Sequence, residues 1–269
     1  MSDKNSYILG TDQKELDRLK VQHKTWKSEA QKSWKTANFK LGDTLLDLGC
    51  GPGYCSIELA NIVGKTGKVI GVDQSTEFIR YLEHIKNQHN LNIEPYLSTF
   101  DDLKIEKESL DGIYCRWALA WIPNPEKILA KLYDYLKPEG RMVIHEYYYW
   151  TSHRTEPERS GLKKAISASL QSFKDSDSEI DIGKHLHRWF YNLNMRITNS
   201  RLMPKIAVPK SDIWNWPKTF YKSYFPRLVS MNYLTNEEME NAFFDLRELE
   251  QLPYTTLWCP LMIEVIAIK

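Results

Sequence analysis

Apolar positions recur along this chain with two different periods, and the switches between them mark out its elements. In ELDRLKVQHKTWKSEAQKSWKTA, residues 14–36, Leu16, Leu19, Trp26 and Trp34 fall at spacings that can share one face, which predicts a helix. Gly42-Asp43 interrupts it, and the short run Thr44-Leu45-Leu46-Asp47-Leu48 predicts a buried strand. Helical spacing returns at Ile57, Leu59, Ala60 and Ile62 and stops at Gly64 and Gly67. Further strands are predicted at Lys68–Val72, Ile93–Leu97, Leu110–Cys115 and 141–147 (RMVIHEY). A helix that Ser75 can cap separates the first two of these, and one with Pro125 in its first turn precedes the last. Strands that alternate with helices in this way imply a parallel, doubly wound sheet.

After Tyr149 the pattern breaks. Residues 151–233 mix helical segments, prolines and many aromatic rings, which predicts an inserted, mainly helical cap. Helical spacing reappears over Asn236–Phe244, and Leu246–Leu252 and Leu261–Ile268 read as two final strands. The expected organisation is an N-terminal helical lid (1–40), a ligand-binding core (41–150), the aromatic cap (151–233) and a C-terminal completion of the sheet (234–269).

Composition narrows the function classes. With 269 residues and 42% hydrophobic content, the chain can bury a full core without staples. A formal charge of +1 offers no bulk attraction to nucleic acid or to an anionic membrane. Cys50, Cys55, Cys115 and Cys259 lack the CxxC spacing of zinc sites and read as reduced thiols, which points to the cytoplasm. The first residues lack the apolar run of a signal peptide, and no stretch approaches the roughly 18 apolar residues of a membrane span.

The chemistry concentrates in Asp47-Leu48-Gly49-Cys50-Gly51-Pro52-Gly53, a tight turn off the first strand. Residues without a Cβ let backbone approach a ligand closely. The spacing is G-x-G-x-G, and Tyr54 occupies the place of the third glycine in the G-x-G-x-x-G of dinucleotide binders. That departure disfavours a pyrophosphate and favours a nucleoside with an amino-acid tail. Asp73 closes the second strand roughly 20 residues further on, where an acid can grip ribose hydroxyls. Taken alone, Asp73 also reads as a helix cap.

The stretches LLDLGCGPGYCSIELA, GVDQS, LDGIYCRWALAWIPNPEKIL and LKPEGRMVIHEY resemble class I S-adenosylmethionine-dependent methyltransferases, most closely the small-molecule branch of ubiquinone and menaquinone methyltransferases. The resemblance covers residues 41–149 and extends to 246–268. It implies an α/β Rossmann-like, doubly wound, mostly parallel seven-stranded sheet with an antiparallel final strand. It also implies S-adenosylmethionine as cofactor. Gly49, Cys50, Gly51 and Gly53 would line its methionine and ribose part, and Asp47 would orient the loop or the methionine amine. Asp73 would hold the ribose, with Gln74 beside the adenine. Thr99, Phe100 and Asp101 match the adenine turn after the third strand. The family usually has an acid where Thr99 stands, so Asp101 is a candidate substitute. Cys115 and Arg116 would border the methionine end. In this branch a leading tyrosine and the following helix often close over the cofactor, which makes Tyr7, Gln22 and Trp26 candidates; a packed surface helix is the alternative.

Methyl transfer is an in-line displacement whose electrophile comes from the cofactor. In an open α/β sheet the crevice lies at the carboxyl ends of the strands. Trp117, Trp121, Tyr147 and Tyr148 are therefore expected to face a small, apolar or aromatic acceptor. His145 is the candidate general base, or else a structural histidine. His145-Glu146 does not open a zinc-protease HExxH motif, because Tyr149 replaces the second histidine. His185 and His187 form an HxH pair that reads as a solvated helix face, and no metal is expected. A nicotinamide-dependent oxidoreductase and a non-catalytic cofactor-binding module are the competing readings. Nucleic-acid methylation is disfavoured, since no Asn/Asp-Pro-Pro-aromatic motif follows the fourth strand.

Overall fold

The computed structural model describes residues 13–176 and 179–269. In chain order these form α1 (Gln13–Thr36), β1 (Thr44–Leu48), α2 (Tyr54–Val63), β2 (Lys68–Asp73), α3 (Thr76–His89), β3 (Ile93–Leu97), β4 (Leu110–Arg116), α4 (Pro125–Tyr135), β5 (Leu136–Tyr149), β6 (Arg154–Glu156) and α5 (Ser160–Asp175). There follow α6 (Leu186–Asn192), β7 (Arg196–Met203), β8 (Ile206–Ala207), α7 (Asp212–Ser230), α8 (Asn236–Gln251), β9 (Thr256–Trp258) and β10 (Leu261–Ile268). The chain divides into two compact units. One holds residues 26–148, 181–203 and 262–269; the other holds the N-terminal stretch through Thr25 with residues 149–180 and 204–261.

The first unit carries a seven-stranded sheet in the order β3-β2-β1-β4-β5-β10-β7. The pairings β3–β2, β2–β1, β1–β4 and β4–β5 are parallel, and β10 runs antiparallel to β7. These parallel strands are nearly continuous apolar runs because helices cover both faces. Leu59, Ala60 and Val63 of α2, Leu82 of α3 and Trp34 of α1 share one buried cluster with Leu45, Val69 and Tyr114 of the strands. The Trp34 ring meets Tyr114 edge-on, with centroids 5.3 Å apart. Strand β1 has β2 on one side and β4 on the other, so the connections leave it in opposite directions. In sheets of this kind such a switch point is where ligands bind, here outside the carboxyl ends of β1 and β4.

The second unit packs α5, α7 and α8 with a three-stranded sheet, β6-β9-β8. Its interior is aromatic. Tyr221, Tyr224 and Phe225 of α7 are fully buried, and Tyr221 stacks on Phe225 at 4.9 Å. Phe173 of α5 stacks on Tyr224 at 5.3 Å. Two caps fix its helices: Ser211 accepts from the Trp214 amide, and Thr235 forms a capping box with Glu238.

Two sequence expectations need correction. Leu246–Leu252 is the last part of α8 and the residue after it, not a strand. Leu246, Leu249 and Leu252 are three apart, the spacing of a helix face, and Leu246 and Leu249 are buried beside Ala242. The seventh strand is instead β7, inside the stretch expected to be a helical cap. Its residues, RITNSRLM, alternate between exposed and half-buried, so it lacks the apolar run that marks the inner strands. The aromatic unit is accordingly not one continuous insertion. Residues 181–203 return to the sheet unit, and 204–261 carry the aromatic unit onward.

Candidate active site at the glycine bend

Gly49, Gly51 and Gly53 have φ of +67°, +54° and +84°, conformations that a side chain resists. Space forbids side chains as firmly as conformation does. A Cβ on Gly49 would lie 2.4 Å from the Ala118 Cβ, and one on Gly53 would lie 2.2 Å from Leu82 Cδ1. The bend leads directly into α2, which starts without a side-chain cap.

Asp73 reaches this bend. One carboxylate oxygen accepts from the Gly51 amide at 2.9 Å and the other from the Ser75 amide at 2.8 Å. The cap of α3 is Ser75, whose hydroxyl accepts from the Phe78 amide, so Asp73 is more than a helix cap. Burial raises the Asp73 pKa, and the backbone amides pull against that rise. A carboxylate has about four lone-pair sites, so two amides leave acceptor capacity for a ligand. Asp47, buried on β1, accepts from the Ser56 hydroxyl at 2.6 Å. Burial pushes its pKa up to about 6, with the Ser56 bond opposing the rise.

On the β3 side, the Phe100 ring lies 3.4 Å from where a Gly49 Cβ would stand. Thr99 donates to the Asp102 carboxylate at 2.8 Å, and Asp101 faces Lys127 at 3.6 Å. Within this turn the Asp102 amide also donates back to the Thr99 hydroxyl, at 3.2 Å. Gln74 is exposed, and Cys50 and Cys115 are buried free thiols.

Beyond β4, Trp117 takes a left-handed conformation, φ +55°. Its indole donates to the Met262 sulfur at 3.1 Å, and its ring lies 5.6 Å from Trp26 and 5.9 Å from Tyr147. The Arg116 guanidinium covers the Trp117 ring at 4.9 Å, and its Nη1 is buried with no hydrogen-bond partner among the described residues. Trp121, Tyr147 and Tyr148 are half-buried.

His145 is placed differently from a general base in a crevice. It is 1% exposed, its Nε2 meets the Ser33 hydroxyl at 2.7 Å, and its Nδ1 faces the Tyr114 hydroxyl at 3.4 Å. Glu264 contacts both Ser33 and His145. Arg201 binds Glu264 at 2.8 Å and Glu29 at 2.7 Å, and Asn199 binds Glu264 at 2.6 Å. Burial lowers the His145 pKa, with Glu264 opposing that shift. Burial alone would raise Glu264, but bonds from His145, Arg201 and Ser33 bring it down to about 2. The ring is a structural member of a polar network joining α1, β5, β7 and β10. The sequence could not reveal this, because Ser33, His145 and Glu264 are more than 100 residues apart in succession.

Of the lid candidates, Gln22 lies in the other unit. Its carboxamide oxygen accepts from Arg18 at 2.8 Å and from the Trp216 indole at 3.1 Å. Tyr7 lies outside the described residues. His185 packs on Trp189, ring centroids 5.3 Å apart.

Comparison with known proteins sets this geometry in a family. A methyltransferase-domain model matches residues 39–207, more than half of the chain. A demethylmenaquinone methyltransferase of Oceanobacillus iheyensis is 34% identical over 125 residues, 46% of this chain and 51% of that one. A 2-phytyl-1,4-naphtoquinone methyltransferase of Trichormus variabilis is 34% identical over 132 residues, 47% of this chain and 55% of that one. The chain thus spans about half the length of the curated relatives it matches. Among solved structures, a geranyl diphosphate methyltransferase in complex with SAM has a TM-score of 0.55 at 15% identity, over 90% of this chain and 84% of that one. The [4+2]-cyclase SpnF has a TM-score of 0.57 at 12% identity, over 90% and 80%. That a cyclase fits as well as a methyltransferase shows that these likenesses establish the fold alone. No described helix is long and apolar enough to cross a membrane. The sequence match over the glycine bend and the strands around it shows that the chain belongs to the methyltransferase-domain family.

Proposed function

We propose that this chain is an S-adenosylmethionine-dependent methyltransferase acting on a small quinone-type or related aromatic acceptor. The observation that carries the reading is the 2.9 Å bond from the Gly51 amide to Asp73, which joins the bared backbone to an acid from the neighbouring strand. The residues present suit such a cofactor: Asp73 keeps acceptor capacity beyond its two backbone amides, and Arg116 Nη1 is a buried cationic nitrogen with no hydrogen-bond partner among the described residues.

When bound, the cofactor supplies an electrophilic methyl group on a sulfonium. The remaining lone pairs of Asp73 take the ribose hydroxyls. Arg116 Nη1 would pair with the carboxylate of the amino-acid tail, and Asp47, held by Ser56, would orient the loop or the tail amine. Phe100, beside Gly49, would flank the adenine, with the Thr99 turn next to it. Of the rings after β4 and β5, the half-buried Tyr147 would offer a face to a positive sulfonium, with Trp117 packed against it at 5.9 Å. Trp121 and Tyr148, half-buried after β4 and β5, are the further rings proposed to meet the acceptor. Catalysis rests on holding the acceptor in line at about 3 to 3.5 Å. The names of the curated relatives support a quinone-type acceptor, and the four free cysteines support a reducing, cytoplasmic setting.

The test is calorimetry with S-adenosylhomocysteine and NAD, followed by mass spectrometry of a naphthoquinone and naphthoquinol panel incubated with S-adenosylmethionine. Asp73→Ala is expected to weaken S-adenosylhomocysteine binding by roughly 1.5 to 3 kcal/mol, the worth of hydrogen bonds to a charged group. Unchanged affinity in that variant, or binding of NAD alone, would overturn the reading.

A further inference from the structure

The turn after β4 cannot satisfy its own backbone. Ala118 begins a short 3-10 turn, Leu119–Trp121, and offers no side chain to cap it. The amides of Ala118 and Leu119 are instead bound by a carboxyl from the next strand. Glu146 on β5 accepts both through Oε1, each at 2.9 Å, and is 0% exposed. A buried carboxyl is costly unless its bonds offset the loss of water. Burial pushes its pKa up to about 8, although the amides of Leu119 and Ala118 pull it down. Its Oε2 is buried with no hydrogen-bond partner among the described residues.

The segment that Glu146 holds packs against the glycine bend. Trp117, just before it, is left-handed, a conformation that costs a residue with a Cβ roughly 1 to 2 kcal/mol. Ala118 presses directly on the Gly49 position, and the Trp117 ring meets Trp26 and Tyr147. We infer that Glu146 is a positioning residue for the cofactor: by binding the Ala118 and Leu119 amides it fixes the turn against which the glycine bend is shaped. It acts through Ala118 and Trp117 rather than by touching the ligand. The inference rests on the reading of the glycine bend as the cofactor site.

Three variants test it, each measured for S-adenosylhomocysteine affinity by calorimetry and for thermal unfolding. Glu146→Ala leaves both amides unsatisfied and is expected to weaken binding about 10- to 100-fold, matching the cost of unsatisfied buried amides. Glu146→Gln keeps an acceptor oxygen at the same reach and is expected to bind within about threefold of wild type, since it loses no amide partner. Glu146→Asp keeps the carboxyl but falls one methylene short, and is expected to bind weakly like the alanine variant. If Glu146→Ala does not fold, the contrast between Gln and Asp decides the matter. A merely structural role predicts lower melting temperatures with unchanged affinity in all folded variants, and that result overturns the inference. A Gln variant as weak as Asp also overturns it. Failure of the wild-type protein to bind S-adenosylhomocysteine would instead overturn the cofactor assignment on which the inference depends.

Discussion

Around the glycine bend, polar groups do the shaping: Asp73 and Glu146 accept backbone N–H groups and hold turns in conformations that side chains resist. In the second unit, the shaping is done by rings. Phe173 stacks on Tyr224 and Tyr221 on Phe225, and the buried histidine beside Tyr221 is held by neutral partners. His153 donates through Nδ1 to the Trp258 carbonyl at 2.9 Å, since a carbonyl can only accept, and its Nε2 accepts from the Tyr221 hydroxyl at 2.6 Å. The contrast with His145, which meets a carboxylate and an arginine-bearing network, is one of charge. The sheet unit thus carries buried paired charges and fixed amides, whereas the aromatic unit buries rings and keeps its histidine neutral.

The sharpest way to break that contrast is to remove a ring. Phe225→Ala is expected to destabilise by about 3 to 5 kcal/mol, the cost of deleting a buried phenyl group. Hydrogen exchange should show protection lost first in α7 and α8, with β1 and β4 amides least affected. Uniform loss across both units would mean that the aromatic packing is not confined to one of them.

Acid should come next in size. Burial lowers the His153 pKa to about 4, with the Trp258 carbonyl opposing the shift. The unfolded chain therefore binds a proton that the folded chain refuses. Stability from this group is full above about pH 6.5 and is lost as pH falls through the folded value, on the order of 3 kcal/mol in all. Urea titrations between pH 7 and 4 should show a steeper decline for wild type than for His153→Gln. Equal slopes would show that His153 is not held neutral by its surroundings.

The smallest effect, and the most local, belongs to the bend. Gly49→Ala places a methyl 2.4 Å from Ala118 and asks alanine to adopt φ +67°. Overpacking of this kind costs roughly 1 to 3 kcal/mol, and cofactor affinity should fall with it. Adding Ala118→Gly removes the collision and should recover part of the affinity, but not the part due to φ. No recovery would mean that conformation alone fixes the bend.

The helix and strand periods made α1 to α4 and β1 to β5 legible, because each buries a face through its own residues. The acid at the end of β2 and the three glycines were equally legible, since strand end and tight turn are local features with few residue types that satisfy them. Strand β7 was hidden because an edge strand half exposed to solvent has no apolar run. The leucines at 246, 249 and 252 look like strand or helix until one knows which face they bury.

The sequence by itself determined where the backbone had to bend without side chains and which carboxylate lay within a strand's reach of that bend. Only the tertiary structure decided that Glu146 binds the turn after β4 and that His145 is enclosed by Ser33 and Glu264. The reason is physical. Local geometry is set by neighbours along the chain, but a buried polar group is satisfied by whatever donor the fold brings to it, and here those partners lie from tens to hundreds of residues away.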